Sequence, residues 1–176
     1  TMLSQMGYYD FSVNSISYDV DTIGRNLNAS VSVVIDPMIE GYNEYNEPIW
    51  VEHALYRLRD INVYPTYDPV MRSARGTDSD VIVDTTYFNG LNIIRDLNSP
   101  SQLRSIVLRR NIHLFPNQIY NSSRVLSTQK ELTSLGFFRN IKISFTPVRE
   151  EDELVVDDED SIQVRYLDCN IYAAPN

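Results

Sequence analysis

Apolar and polar positions change rhythm abruptly at one place in this chain. Leu132 and Leu135 lie three apart and share one helix face. Gly136 follows, where a helix commonly ends in a left-handed turn that a Cβ disfavours. Beyond it the period is twofold: Phe137, Ile141, Ile143 and Phe145 alternate with Phe138, Asn140, Lys142, Ser144 and Thr146. This predicts a helix, a glycine stop and a strand, with Leu132 and Leu135 buried against Ile141, Ile143 and Leu167. The same order occurs near the N-terminus, where Leu3-Ser4-Gln5-Met6-Gly7-Tyr8-Tyr9 matches Leu132 through Phe138 position by position. The expectation is two copies of one unit, the first lacking its beginning, with positive φ at both glycines.

In chain order, Phe11 to Asp21 and Leu27 to Ile35 are predicted as strands around a turn at 22–26 that contains Gly24. Residues 38–54 lack periodicity and are expected as a linker pinned by Trp50. The next strand, Leu55 to Tyr64, changes phase between Leu58 and Ile61, so a bulge is expected at Arg59-Asp60. Residues 66–99 read as an insertion carrying a hairpin that turns at Asn89-Gly90, with a mobile polar run at 72–80. Helices are predicted from Pro100 to Arg110 and from Ser122 to Leu135, the second capped by Asn121 with Tyr120 stapled onto Val125. A strand through Thr146, an acidic loop at 149–160 and a last strand from Ile162 to Ala173 complete the chain. That strand shifts phase near Tyr166.

The resulting order is strand, helix, helix, strand, strand, an α+β arrangement with two helices on one face of a three-stranded sheet. The other face is expected to be partly wet.

Composition narrows the chemistry. The net charge of −9 over 176 residues opposes nucleic acid as a partner. The acids are clustered: residues 1–52 and 149–160 each carry −7, while 53–148 carry +5. No run of about 18 apolar residues is present for a membrane-spanning helix, and the opening residues do not form a signal peptide. The single cysteine, Cys169, excludes an internal disulfide and reads as a buried small residue. A nucleophilic reading would need His53 or His113 nearby. No phosphate loop, metal-binding histidine spacing or nucleophile elbow occurs, and the acidic runs lack calcium-loop spacing, so no cofactor or metal and no enzymatic activity is expected. The sequons at Asn28 and Asn121 are short enough to arise by chance. A KH-type RNA-binding unit would place Gly-x-x-Gly where Phe115-Pro116-Asn117-Gln118 stands.

These residues together resemble the POTRA repeats of the BamA/TamA-type outer-membrane barrel-assembly (surface antigen) family. The match runs through Tyr56, Leu58, Ile61 and Val63 in the first strand. It continues through Pro116-Asn117-Gln118-Ile119-Tyr120 between the helices and Leu132 to Phe138 entering the second strand. Asn117 stands where the family prefers Gly, and Asn is the next most tolerant of positive φ. The resemblance implies a complete repeat at 53–176, with insertions at 66–99 and 149–160, preceded by a linker at 37–52 and the C-terminal part of a truncated repeat at 1–36.

It further implies a non-catalytic periplasmic module at the outer membrane of a Gram-negative bacterium, joined to the membrane by a barrel outside this chain. Its partners would be unfolded outer-membrane proteins or accessory lipoproteins, received by strand addition. The strand from Phe137 to Thr146 is the expected edge, with Arg139, Asn140, Lys142, Ser144 and Thr146 as partner-binding residues. A spacer without clients and a small enzyme are the alternative readings.

Overall fold

The computed structural model describes residues 2–21, 29–67, 83–97, 103–148, 153–154 and 163–176. The expected turn at 22–26, the polar run at 72–80, the start of the first helix at Pro100 and most of the acidic segment 149–160 lie outside the described residues.

Residues 55–175 contain the expected order. Strand β5 (Leu55–Tyr64) leads through an inserted hairpin, β6 (Val83–Phe88) and β7 (Leu91–Asp96), to helices α2 (Ser105–Asn111) and α3 (Ser122–Ser134). Strands β8 (Phe138–Pro147), β9 (Glu153–Leu154) and β10 (Gln163–Pro175) follow. In the sheet the order is β6-β7-β5-β10-β8, with the short β9 on the start of β10. β10 is parallel to β5 and antiparallel to β8. The sheet is wider than the three strands expected, because the inserted hairpin adds β7 alongside β5 at Asn62 and Val63. Its Asn89-Gly90 turn has positive φ at both residues, as a two-residue hairpin of that sequence requires.

The bulge at Arg59-Asp60 is present. Leu167 pairs with Leu58 and Cys169 with Ile61, so β5 advances three residues where β10 advances two. The extra residue returns Ile61 and Val63 to the face of Tyr56 and Leu58, and all four are buried. The break lies between Leu167 and Cys169, next to Tyr166 as expected, and the extra residue is on β5. The phase change in β10 arises because Val164 is buried on the opposite face from Leu167.

The helices contribute Leu108 and Leu132, and the C-cap of α2 contributes Ile112, to a core shared with Leu58, Leu91, Ile93, Leu167 and Ile171. Thr128, also wholly buried, is satisfied because its hydroxyl accepts the His113 amide at 3.0 Å. Helix α2 begins later than expected. Arg104 is extended, and the Arg95 guanidinium holds Leu103 O at 3.2 Å and Ser105 Oγ at 2.9 Å. Asn121 caps α3 as predicted, its Oδ1 accepting from the amides of Ser123 and Arg124.

Between the helices Asn117 has φ +61. The segment it opens pairs with the first half of β5: Asn117 N–H donates to Leu58 O, Leu58 N–H to Gln118 O, and Tyr120 N–H to Tyr56 O.

Ahead of this unit stand α1 (Met2–Gln5), β1 (Ile16–Asp21) and β2 (Ser30–Ile35). β1 starts at Ile16 rather than Phe11 because the Ser12 hydroxyl caps a 3-10 turn at Val13–Ser15. Residues 37–52 are not an irregular linker. They form a second hairpin, β3 (Met38–Tyr42) and β4 (Pro48–Val51), in which Trp50 is 57% exposed and pins nothing. The Asn43 side chain organises its tip, with Oδ1 accepting the amides of Tyr45 and Glu47 at 2.9 Å each.

Candidate functional site

β8 is the terminal strand of the sheet, bonded to β10 on one side and to no other described strand. The phase of its ladder is fixed by Val148, whose amide donates to Tyr166 O at 2.9 Å. Antiparallel pairs alternate between two bonds and none, so Thr146–Asp168, Ser144–Asn170, Lys142–Tyr172 and Asn140–Ala174 are the bonded pairs. The N–H and C=O groups of Ile141, Ile143 and Phe145 therefore face the free edge. Pro147 shares their phase, so its missing N–H faces the edge too, where proline is tolerated.

This geometry divides the expected binding residues by role. Asn140, Lys142, Ser144 and Thr146 use their own backbone on β10, and their side chains lie on the face away from the helices. Arg139 is exposed at the strand's start. The groups that could bond an added strand belong to the apolar residues, whose side chains pack towards the core. Alternation alone could not reveal this, because it tells which way side chains point and not which residues are bonded to β10.

At the strand's beginning one expectation is reversed. Phe138 is buried and Phe137 only partly so, the rings meeting edge-on at 5.1 Å. The register shift between Ala174 and Pro175 changes the phase there. Gly136 and Gly7 both have positive φ, +64 and +106, as the repeated pattern predicts.

Beside the edge, the helix-free face carries a row of amides that sequence reading missed. Asn92 Nδ2 donates to Asn62 Oδ1 and Asn62 Nδ2 to Asn170 Oδ1, each at 3.1 Å, and Asn170 Nδ2 to Thr146 Oγ1 at 3.4 Å. In the next row Tyr64 stacks on Tyr172 with centroids 4.8 Å apart. Arg59 grips Asp168 through two nitrogens, at 2.9 and 2.7 Å. The Asn92–Asn62–Asn170 row was legible as Ile61-Asn62-Val63, Leu91-Asn92-Ile93 and Cys169-Asn170-Ile171, three triplets of an amide between apolar residues.

Two further arrangements bear on function. Tyr9 enters a ring cluster with Tyr56, Tyr120 and Phe145, and the Tyr56 hydroxyl donates to Asp10. Cys169 is fully buried, and burial pushes its thiol up to about 12. His113 pairs with Glu131 at 2.8 Å and His53 lies against Asp36 O at 3.2 Å. Cys169 is therefore a packing residue. Among the described residues no cluster of three or more His, Cys, Asp or Glu side chains is arranged to hold a metal.

No protein-family model matches the chain, and no curated protein matches it. Among solved structures it is similar to POTRA domains 1–3 of the periplasmic domain of Omp85 from Anabaena, at 10% identity over 92% of this chain and 74% of that one, with TM-score 0.33. It is similar to POTRA domains 3–5 of Haemophilus influenzae BamA at 12% identity, covering 96% and 74%, with TM-score 0.33. It is also similar to the N-terminal domain of Omp85 from the thermophilic cyanobacterium Thermosynechococcus elongatus at 10% identity, covering 99% and 80%, with TM-score 0.34. The strand-helix-helix-strand-strand order given above is read from this chain's own elements.

Proposed function

We propose that the chain is a binding module of an outer-membrane protein assembly factor on the periplasmic side of a Gram-negative outer membrane. It receives unfolded barrel precursors, or accessory lipoproteins, as a strand added to β8. The carrying observation is the edge itself, where Ile141, Ile143 and Phe145 offer outward backbone groups while their side chains hold the register against the core. Such an edge reads backbone and not sequence, which suits a receiver of many clients. Asn140, Lys142 and Thr146 leave it flanked by polar side chains, which guards it against aggregation.

Residues 1–36 are, on this reading, the last part of a preceding unit. Ile16, Tyr18 and Val20 pair with Ile35, Val33 and Val31 to form one apolar face of the β1–β2 hairpin. In the second unit the corresponding face of β8 is covered by α3, which supports a common unit.

The test is a titration with a synthetic peptide of alternating apolar and polar residues taken from a barrel strand, and with the same peptide N-methylated at consecutive amides, so that neither of its edges can pair. Saturable binding of the first and at least tenfold weaker binding of the second is the expected result. Equal binding of both excludes strand addition. The packing of Tyr9 on Tyr56 and Tyr120 favours a second reading, a spacer that fixes the angle between units, and that reading predicts that neither peptide binds.

A further inference from the structure

The hairpin of β3 and β4 is a surface of a different kind from the β8 edge. Residues 36–52 contain five acids, Asp36, Glu40, Glu44, Glu47 and Glu52, and no basic residue. Two of these acids are used to mount the hairpin. Glu40 meets Arg165 of β10 at 2.6 Å. Asp36 fixes the base, with its amide donating to Ser15 O at 2.8 Å and its carboxylate accepting from Ser17 Oγ at 3.1 Å.

On this mount the apolar side chains point outward. Ile39 and Trp50 are cross-strand partners, as are Tyr42 and Pro48. Trp50 is 57%, Tyr42 63% and Tyr45, at the tip, 80% exposed. The tip is preorganised, because besides the two bonds accepted by Asn43 Oδ1 its Nδ2 donates to Glu47 Oε2 at 2.9 Å and Asn46 holds φ +61. Exposed Trp and Tyr on a rigid support are the side chains that anchor protein interfaces at small entropic cost. The exposed carboxylates of Glu44, Glu47 and Glu52 on and beside the same hairpin select and steer a positively charged partner and oppose an anionic membrane surface.

We infer that this hairpin is a docking element for a second protein whose surface sets lysine or arginine side chains around an apolar groove, the groove taking Trp50 and Tyr42. The inference is independent of strand addition on β8.

Trp50 is the only tryptophan, so its emission reports this surface alone. The probe is an amphipathic helical peptide of lysine and leucine, titrated into the full 176-residue chain and followed by Trp50 emission and by calorimetry. The expected result is a blue shift that saturates with binding. Raising the salt weakens that binding, and a Tyr42→Ala/Tyr45→Ala variant weakens it at least tenfold without changing the melting temperature. Calorimetric binding with unchanged Trp50 emission places the peptide elsewhere, for instance on the acidic segment 149–160, and overturns the inference. A blue shift with vesicles of phosphatidylethanolamine and phosphatidylglycerol but not with the peptide overturns it in favour of a membrane surface. The β8 titration with barrel-strand peptides is unaffected by the Tyr42→Ala/Tyr45→Ala change, so failure of one reading is distinguishable from failure of the other.

Discussion

The ring of Tyr9 meets the ring of Tyr120 edge-on, with centroids 5.1 Å apart and planes at 81°. Tyr9 belongs to the segment between α1 and β1, and Tyr120 to the connection between α2 and α3. Edge-to-face contact places the positive rim of one ring on the negative face of the other. Tyr56 and Phe145 complete the cluster, and Gly7 O accepts the Tyr56 amide at 2.9 Å. Tyr9 is thus the joint between the N-terminal segment and the sheet that holds β5 and β8. Tyr9→Ala should lower stability by about 2 kcal/mol, below the range for a wholly buried aromatic because Tyr9 is half-buried. A urea midpoint equal to wild type would show that the joint is not packed this way.

The sequence pattern predicts that Leu132 and Leu135 are both buried. Leu132 is wholly buried, whereas Leu135 sits at the C-cap, half-buried at the margin of the core. Leu132→Ala should cost about 3 to 5 kcal/mol and Leu135→Ala about 1 kcal/mol, since the exposed position leaves little cavity. Thermal melting of both variants checks the order. Equal shifts would contradict the placement of α3.

The two glycine stops should also differ. At Gly136 an added Cβ meets nothing within 4 Å, so Gly136→Ala carries only the backbone penalty of about 1 kcal/mol. At Gly7 the same atom would stand 2.6 Å from Leu55 Cδ1 and 2.7 Å from Ile119 Cγ2. Gly7→Ala should therefore cost more, about 2 kcal/mol or above. Chemical denaturation of the two variants side by side is the check, and a smaller loss at Gly7 would refute the close approach.

Stability should fall on the alkaline side. Burial, with a smaller contribution from Asp10, raises the Tyr56 hydroxyl from 10.0 to about 12, and burial raises the Cys169 thiol from 9.0 to about 12. Tyr9 and Tyr120 are raised as well, again chiefly by burial. Between the ordinary and the raised values the folded chain keeps protons that the unfolded chain has lost. The folded state then binds more protons, and stability drops as pH rises. The contribution is complete below about pH 9 and is lost progressively towards about pH 12. Denaturation midpoints across that range test this, and Tyr56→Phe should flatten the decline. A midpoint that rises with pH would contradict the buried tyrosine cluster.

Much of the stretch from β5 to β10 was legible because its elements are each periodic and each punctuated. The bulge in β5 could be placed because Tyr56 and Leu58 are out of phase with Ile61 and Val63, and Asn89-Gly90 and Gly136 marked their turns. The β3–β4 hairpin was not legible. Its register shift between Ile39 and Gly41 breaks the alternation, and its tip is held by an asparagine side chain that no periodicity reports. The late start of α2 depends on Arg95, ten residues away from Ser105, which also leaves no local signal. For the edge, side-chain alternation identified the strand. The residues whose backbone is available depend on the phase of the β10 ladder, a long-range property.

The central claim is that β8 presents a free edge to an extended partner. Residue-resolved amide exchange tests it directly. Without a partner, the amides of Ile141, Ile143 and Phe145 should exchange quickly, and those of Lys142, Ser144 and Thr146 slowly, because only the latter are bonded to β10. Adding a barrel-strand peptide should slow Ile141, Ile143 and Phe145 by at least tenfold and leave their neighbours unchanged. Slow exchange at all six before any peptide is added, or no change at these three when peptide is bound, would contradict it.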